Sequence, residues 1–117
     1  MRLMISGLNP LRETDKKAVV EFCTLLRRKL KDNLRQIRLF GSKARGDDDP
    51  ESDIDILLLV EKRDPVVEDQ IIDIAYEVSL KYDVVMMPVV LSVDEYLSSL
   101  SRASLFYRHT QNEGLVL

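Results

Sequence analysis

The chain reads as an α/β (α+β) fold, a small mixed sheet of about three strands with helices packed against it. Three observations predict this. Segments with the three- and four-residue apolar spacing of helices alternate with short alternating or continuous apolar runs. The sequence has 117 residues, the size of one ordinary domain, so residues 1–117 are taken as a single unit. Hydrophobic residues make up 45% and charged residues 32%, enough apolar surface for a core within an ordinary globular profile.

Each element has its own signal. Thr14 or Asp15 can cap a first helix that runs to about Lys31, with Val19, Phe22, Leu25, Leu26 and Leu30 on its apolar side. Leu34 to Phe40 alternates Ile37 and Leu39 with Gln36 and Arg38, and Gly41 ends it, which predicts a short strand. Ser42 to Gly46 reads as a turn or the start of a short helix, and Asp47 to Ser52 as an acidic loop. Ile54 to Val60 is almost continuously apolar, as expected of a strand covered on both faces. Pro65 suits the first turn of a helix over 66–81, with Val67, Ile71, Ile74, Ala75 and Val78 forming its stripe. Asp83 to Leu91 predicts a third strand. Pro88 lacks an N–H, so that strand belongs at an edge or is broken at that point. Ser92 can cap a short helix through Leu100, and a last helix spans about Ala103 to Asn112, with Gly114 as its C-cap.

Composition limits the function classes. Net charge is −3, from 17 basic and 20 acidic residues. A protein that grips nucleic acid through its phosphates needs a basic face, so direct nucleic-acid binding is not expected. No apolar run approaches the roughly 20 residues that span a bilayer, and Met1 to Pro10 does not read as a signal peptide. No membrane role is expected. The single cysteine, Cys23, cannot form an internal disulfide and falls on the apolar side of the first helix, where it reads as a small buried hydrophobe. A cytoplasmic setting follows.

The chemistry concentrates in Leu39-Phe40-Gly41-Ser42-Lys43-Ala44-Arg45-Gly46 and Ser52-Asp53-Ile54-Asp55-Ile56. On a strand, residues i and i+2 share a face about 6.6 Å apart, so Asp53 and Asp55 project together while Ile54 and Ile56 face the core. Carboxylates so placed repel each other unless a cation lies between them. Mg²⁺, a hard ion that takes one or two carboxylates and completes its shell with water and phosphate oxygens, fits that arrangement. Gly41 ends a strand just where Ser42 begins a helical turn. Such a turn presents N–H groups and a hydroxyl to an anion, with Lys43 and Arg45 adding positive charge. A Mg²⁺–triphosphate could bridge the two sites. Other features read as bland. Asp47-Asp48-Asp49 is a solvated loop, His109 is a packing or surface residue, and Met86 and Met87 are core.

Gly41-Ser42, ten intervening residues and Asp53-Ile54-Asp55 make a pattern that resembles the DNA polymerase β-like nucleotidyltransferase superfamily. The segments GSKARG, SDIDILLLV, KYDVVMMPVVLS and LFYRHTQNEGLVL resemble its minimal nucleotidyltransferases, the short subgroup paired with HEPN-domain proteins as antitoxins. The resemblance implies catalytic and metal-binding roles for Asp53, Asp55 and a third carboxylate, matched here by Asp83. It implies nucleotide binding by Gly41, Ser42, Lys43 and Arg45. It also implies two Mg²⁺ ions, for which Mn²⁺ can substitute, and transfer of a nucleoside monophosphate, AMP from ATP, to a hydroxyl of a HEPN-family partner. Two other readings stand beside it. One is a non-catalytic antitoxin that blocks its partner. The other is the nucleotide-binding subunit of a transferase acting on tRNA or an antibiotic. The apolar Leu105, Phe106 and Leu115 to Leu117 are expected to meet another chain, a second copy or the partner, or else to close the core.

Overall fold

The computed structural model describes residues 11–45 and 52–117. The Met1–Pro10 segment and the Asp47-Asp48-Asp49 run lie outside the described residues. The elements in order are α1 (Glu13–Leu30), a 3-10 turn (Lys31–Asn33), β1 (Leu34–Phe40), α2 (Ser42–Arg45), β2 (Ile54–Val60) and α3 (Pro65–Tyr82), followed by β3 (Met86–Ser92), α4 (Val93–Leu97), α5 (Ser99–Arg102), α6 (Leu105–Glu113) and β4 (Leu115–Val116). The sheet is mixed and runs β3-β2-β1-β4. β1 lies antiparallel to both β2 and β4, whereas β2 and β3 are parallel and are joined through α3.

Side-chain alternation divides the core by sheet face. Ile54, Ile56, Leu58 and Val60 of β2, with Ile37 and Leu39 of β1, pack against Phe22 and Leu26 of α1 and Ile71 and Val78 of α3. The opposite face carries Leu57 and Leu59, which pack with Tyr96 of α4 and with Phe40, Val89, Leu91, Phe106 and Tyr107. Central β2 is thus covered on both sides, which is why its sequence is nearly all apolar. The Tyr96 hydroxyl is buried in the second cluster and is satisfied by the Thr110 hydroxyl and the Gln111 side-chain amide. Cys23 is fully buried in the first cluster, and desolvation pushes its thiol up to about 11.

Local chemistry sets most of the boundaries. Asp64 caps α3 by accepting from the Val67 N–H, and Pro65 occupies the first turn. Ser92 and Glu95 form a reciprocal capping box at the start of α4. α1 starts one residue before the expected caps. Arg12 is its N-cap and gives no side-chain cap bond, so Asp15 falls inside the first turn. The helix expected from Ser92 to Leu100 breaks at Ser98, an extended residue whose own side chain caps α5. Gly114 follows α6 in an extended conformation and leads into β4, a fourth strand too short to show a periodic signal.

β3 differs most from expectation. It starts at Met86, and Asp83 instead ends α3 in the left-handed conformation, φ 53° and ψ 49°. It is an unbroken edge strand, the first of the two placements that Pro88 allows. The Met86 N–H donates to Ser79 Oγ at 3.0 Å and the Ser92 N–H to Glu95 Oε1 at 2.9 Å, so both are bonded away from the sheet. Met86 is core, but Met87 is 45% exposed. In the final segment, Phe106 stacks edge-on against Phe40 at 5.4 Å, and Leu115 and Leu117 pack on the main core. Only Leu105 and Val116 of that group stay largely exposed. Ile72, Tyr76 and Leu80 form a second, exposed apolar row on α3. Among the described residues, no helix is long and apolar enough to cross a membrane.

Truncating Phe22 to alanine removes a fully buried ring and should cost about 3–5 kcal/mol in urea unfolding. Leu80, 67% exposed, should change stability by less than about 0.5 kcal/mol when cut to alanine. Equal effects would contradict this division between core and surface.

Candidate active site

The pairing of β1 with β2 builds the site. Across that ladder Phe40 lies opposite Asp55, and Gly41 leaves the strand at the next position with φ 75°. A left-handed φ is one reason for glycine there. The other is space, because a Cβ on Gly41 would run into the Asp55 carboxylate oxygen and lie 3.3 Å from its Cγ. The Asp55 carboxylate therefore rests against the Gly41 backbone.

Ser42 opens α2 directly after this contact. The Gly41 carbonyl closes the turn by accepting from the N–H groups of Ala44 at 3.1 Å and Arg45 at 3.2 Å. These two amides are therefore spent within the turn. Strand alternation puts Asp53 and Asp55 on the same face as Leu57 and Leu59, at the end of β2 where that face is open. Asp53 is exposed and Asp55 partly buried. The Asp55 carboxyl is pushed above the ordinary aspartate range by desolvation first and by the Asp53 charge second, with Arg45 pulling it down in part. The two carboxylates feel each other, and such a pair has the oxygen-donor chemistry that suits a hard divalent cation.

The remaining candidates divide. Arg45 is close enough for its charge to act on Asp55, and its Nη1 also bonds Glu113 Oε2 at 3.1 Å. Lys43, expected to face a phosphate, turns inward. Its side chain is wholly buried, with Nζ 2.8 Å from Asp15 Oδ2. Its charge therefore meets the first turn of α1. Asp83 stays apart at the end of α3, and beside Asp55 on β3 stands Met87. Among the described residues, no three acidic, histidine or cysteine side chains come together as a metal site. His109 is on the surface. Asp15 and Glu113 escaped sequence reading, since neither shares a local pattern with the turn it contacts. A groove of about 730 Å³ between α1 and α3 is lined by residues such as Lys16, Glu21 and Tyr82, and none of the site residues lines it.

A family model for the nucleotidyltransferase domain matches residues 20–109, which include the Gly41 turn and both aspartates. The chain belongs to this nucleotidyltransferase family. Two relatives from Methanocaldococcus jannaschii carry the name protein adenylyltransferase as an inferred activity. One is 38% identical over 103 residues, 88% of this chain and 97% of the relative. The other is 52% identical over 62 residues, 52% of this chain and 63% of the relative, so the match spans less than two thirds of that protein. Among solved structures, a toxin–antitoxin complex with AMP-PNP aligns over 90% of this chain and 72% of the other, with TM-score 0.57 and 21% identity. A mutant MntA–HpeT toxin–antitoxin structure aligns over 92% and 72%, with TM-score 0.55 and 24% identity. These likenesses bear out the fold, with four strands in place of about three. As an enzyme the chain is of the nucleotidyltransferase class.

Two outcomes follow from the geometry. The folded protein holds the Asp55 proton more tightly than the unfolded chain does, so this group costs stability as pH rises through the carboxylate range. Asp55→Asn should therefore raise the Tm of the metal-free protein at pH 7 but not near pH 3. An equal shift at both would contradict the repulsion. Gly41→Ala should lower stability by at least about 1–2 kcal/mol from the left-handed φ alone. It should also abolish stabilisation by Mg²⁺–ATP, and retention of that stabilisation would contradict the close approach.

Proposed function

We propose that this chain transfers a nucleoside monophosphate, AMP from ATP, to a hydroxyl on a HEPN-family partner protein, as the antitoxin of a toxin–antitoxin pair. The observation that carries the reading is the Asp55 carboxylate held against the Gly41 turn, with the Asp53 charge acting on it. The relatives named for protein adenylyl transfer support AMP and a protein acceptor. The fold shared with toxin–antitoxin structures, one of them with AMP-PNP, supports the pairing and a nucleotide substrate.

In this reading the acceptor oxygen bonds to the α-phosphorus as the bond to the departing pyrophosphate breaks. Gly41 lets the triphosphate approach the backbone, and Ser42 donates its hydroxyl. Arg45 has a partly exposed guanidinium that can turn from Glu113 towards phosphate oxygens. Asp53 and Asp55 would hold Mg²⁺, which supplies charge neutralisation for the triphosphate and the leaving pyrophosphate. Two Mg²⁺ ions with Asp83 as third ligand is the fuller family scheme. The separation of Asp83 from the pair favours the smaller set. Accordingly, Asp83→Asn should keep most of the transfer rate, and its total loss would restore Asp83 as a ligand.

The deciding experiment uses labelled ATP, Mg²⁺ and the product of the neighbouring gene. The Asp53→Asn, Asp55→Asn double variant should stay folded and bind the partner, yet lose transfer by at least about 10²–10³-fold. Mg²⁺–ATP should raise the Tm of the unsubstituted protein and not of the variant. Transfer at the unsubstituted rate by the double variant would remove the proposal. Equal neutralisation of the partner without ATP would point to a blocking antitoxin.

A further inference from the structure

The mechanism uses no charge on Lys43, yet this lysine is buried at the edge of the site. Its side chain and that of Asp15 are 0% and 6% exposed, and the two meet at 2.8 Å across 28 residues of sequence. Burying two opposite charges gives little net stability, and an apolar pair of similar volume is often as stable or more so. What an ion pair adds over an apolar contact is direction.

α2 needs direction. It is four residues long, far below the length at which a helix holds itself. Contacts with other elements fix it instead. Lys43 ties it to the first turn of α1, Ala44 packs on the main core, and Arg45 reaches Glu113 at the end of α6. The Lys43 and Arg45 contacts are ionic, and the Lys43–Asp15 pair is out of solvent. Asp15 sits in the first turn of α1, where the helix dipole favours a carboxylate. Ser42 is the first residue of α2 and joins it directly to Gly41.

We infer that the buried Lys43–Asp15 ion pair is a positioning device that fixes the orientation of α2, and through it Ser42 and the Gly41 turn, relative to Asp53 and Asp55. The inference rests on the transferase reading for its consequence and on the geometry alone for its mechanics.

The test joins Lys43→Met and Asp15→Leu in one protein, which removes both charges of this pair together. The double variant should fold with a Tm within about 5 °C of the unsubstituted protein. Its amide protons at Ala44 and Arg45, which bond to Gly41, should exchange at least about tenfold faster, with no change in β2. Its Kd for Mg²⁺–AMP-PNP should rise by about tenfold or more, the equivalent of one well-made hydrogen bond. Lys43→Arg, which keeps the charge and can still reach Asp15, should restore both values towards normal. A double variant with unaltered exchange and unaltered Kd overturns the inference. So does an unfolded double variant accompanied by Lys43→Arg protein that is folded but shows the fast exchange and weak Kd. If the unsubstituted protein does not bind Mg²⁺–AMP-PNP, the transferase reading fails, and the exchange rates alone still decide whether the pair orients the turn.

Discussion

Phe40 faces Asp55 across the β1–β2 ladder, and the residue after Phe40 is the one that leaves the strand. That register brings the end of one strand and the start of another into van der Waals contact, and it admits only glycine at the point of contact. A slip by one residue would turn both carboxylates into the core and Ile54 and Ile56 out of it. The apolar cost of such a slip is large, because β2 buries side chains on both faces. The core therefore holds the active-site geometry in place. Hydrophobic packing sets the register, and the register puts carboxylate beside backbone.

This division explains what could be read from the sequence. β1 and β2 were legible to the residue, because a central strand between a polar-rich neighbour and two acidic residues leaves no other register. The placement of Gly41 at the end of β1, of Ser42 at the start of α2 and of Asp55 on the face away from Ile54 and Ile56 was legible because each has a local signature. The orientation of Lys43 was not. A cation next to a phosphate turn looks the same in sequence whether it faces ligand or core, and only Asp15, far away in the chain, decides. Asp83 misled for a related reason. Aspartate tolerates the left-handed conformation that ends a helix, so the residue that seemed to open β3 closes α3. β4 is too short to carry any period and exists because β1 offers it an edge.

α3 has apolar residues on two sides, which its sequence stripe did not distinguish. Ile71, Ala75 and Val78 face the sheet, and Ile72, Tyr76 and Leu80 face water. The same helix crosses from β2 to β3, so its length and its end at Asp83 fix where β3 begins. That start places Met87, not a carboxylate, beside Asp55. The apolar character of the site's β3 wall is thus inherited from the helix that precedes it.

The outer rim of β3 has a consequence for assembly. An edge strand ordinarily offers a row of donors and acceptors on which another chain's strand can grow. Here the Met86 amide is occupied by Ser79, Pro88 has no N–H to give, and the Ser92 amide is occupied by Glu95. A neighbouring strand could find no continuous ladder along this rim. Strand addition at this rim would find three of its amides withheld, which works against templated growth from β3.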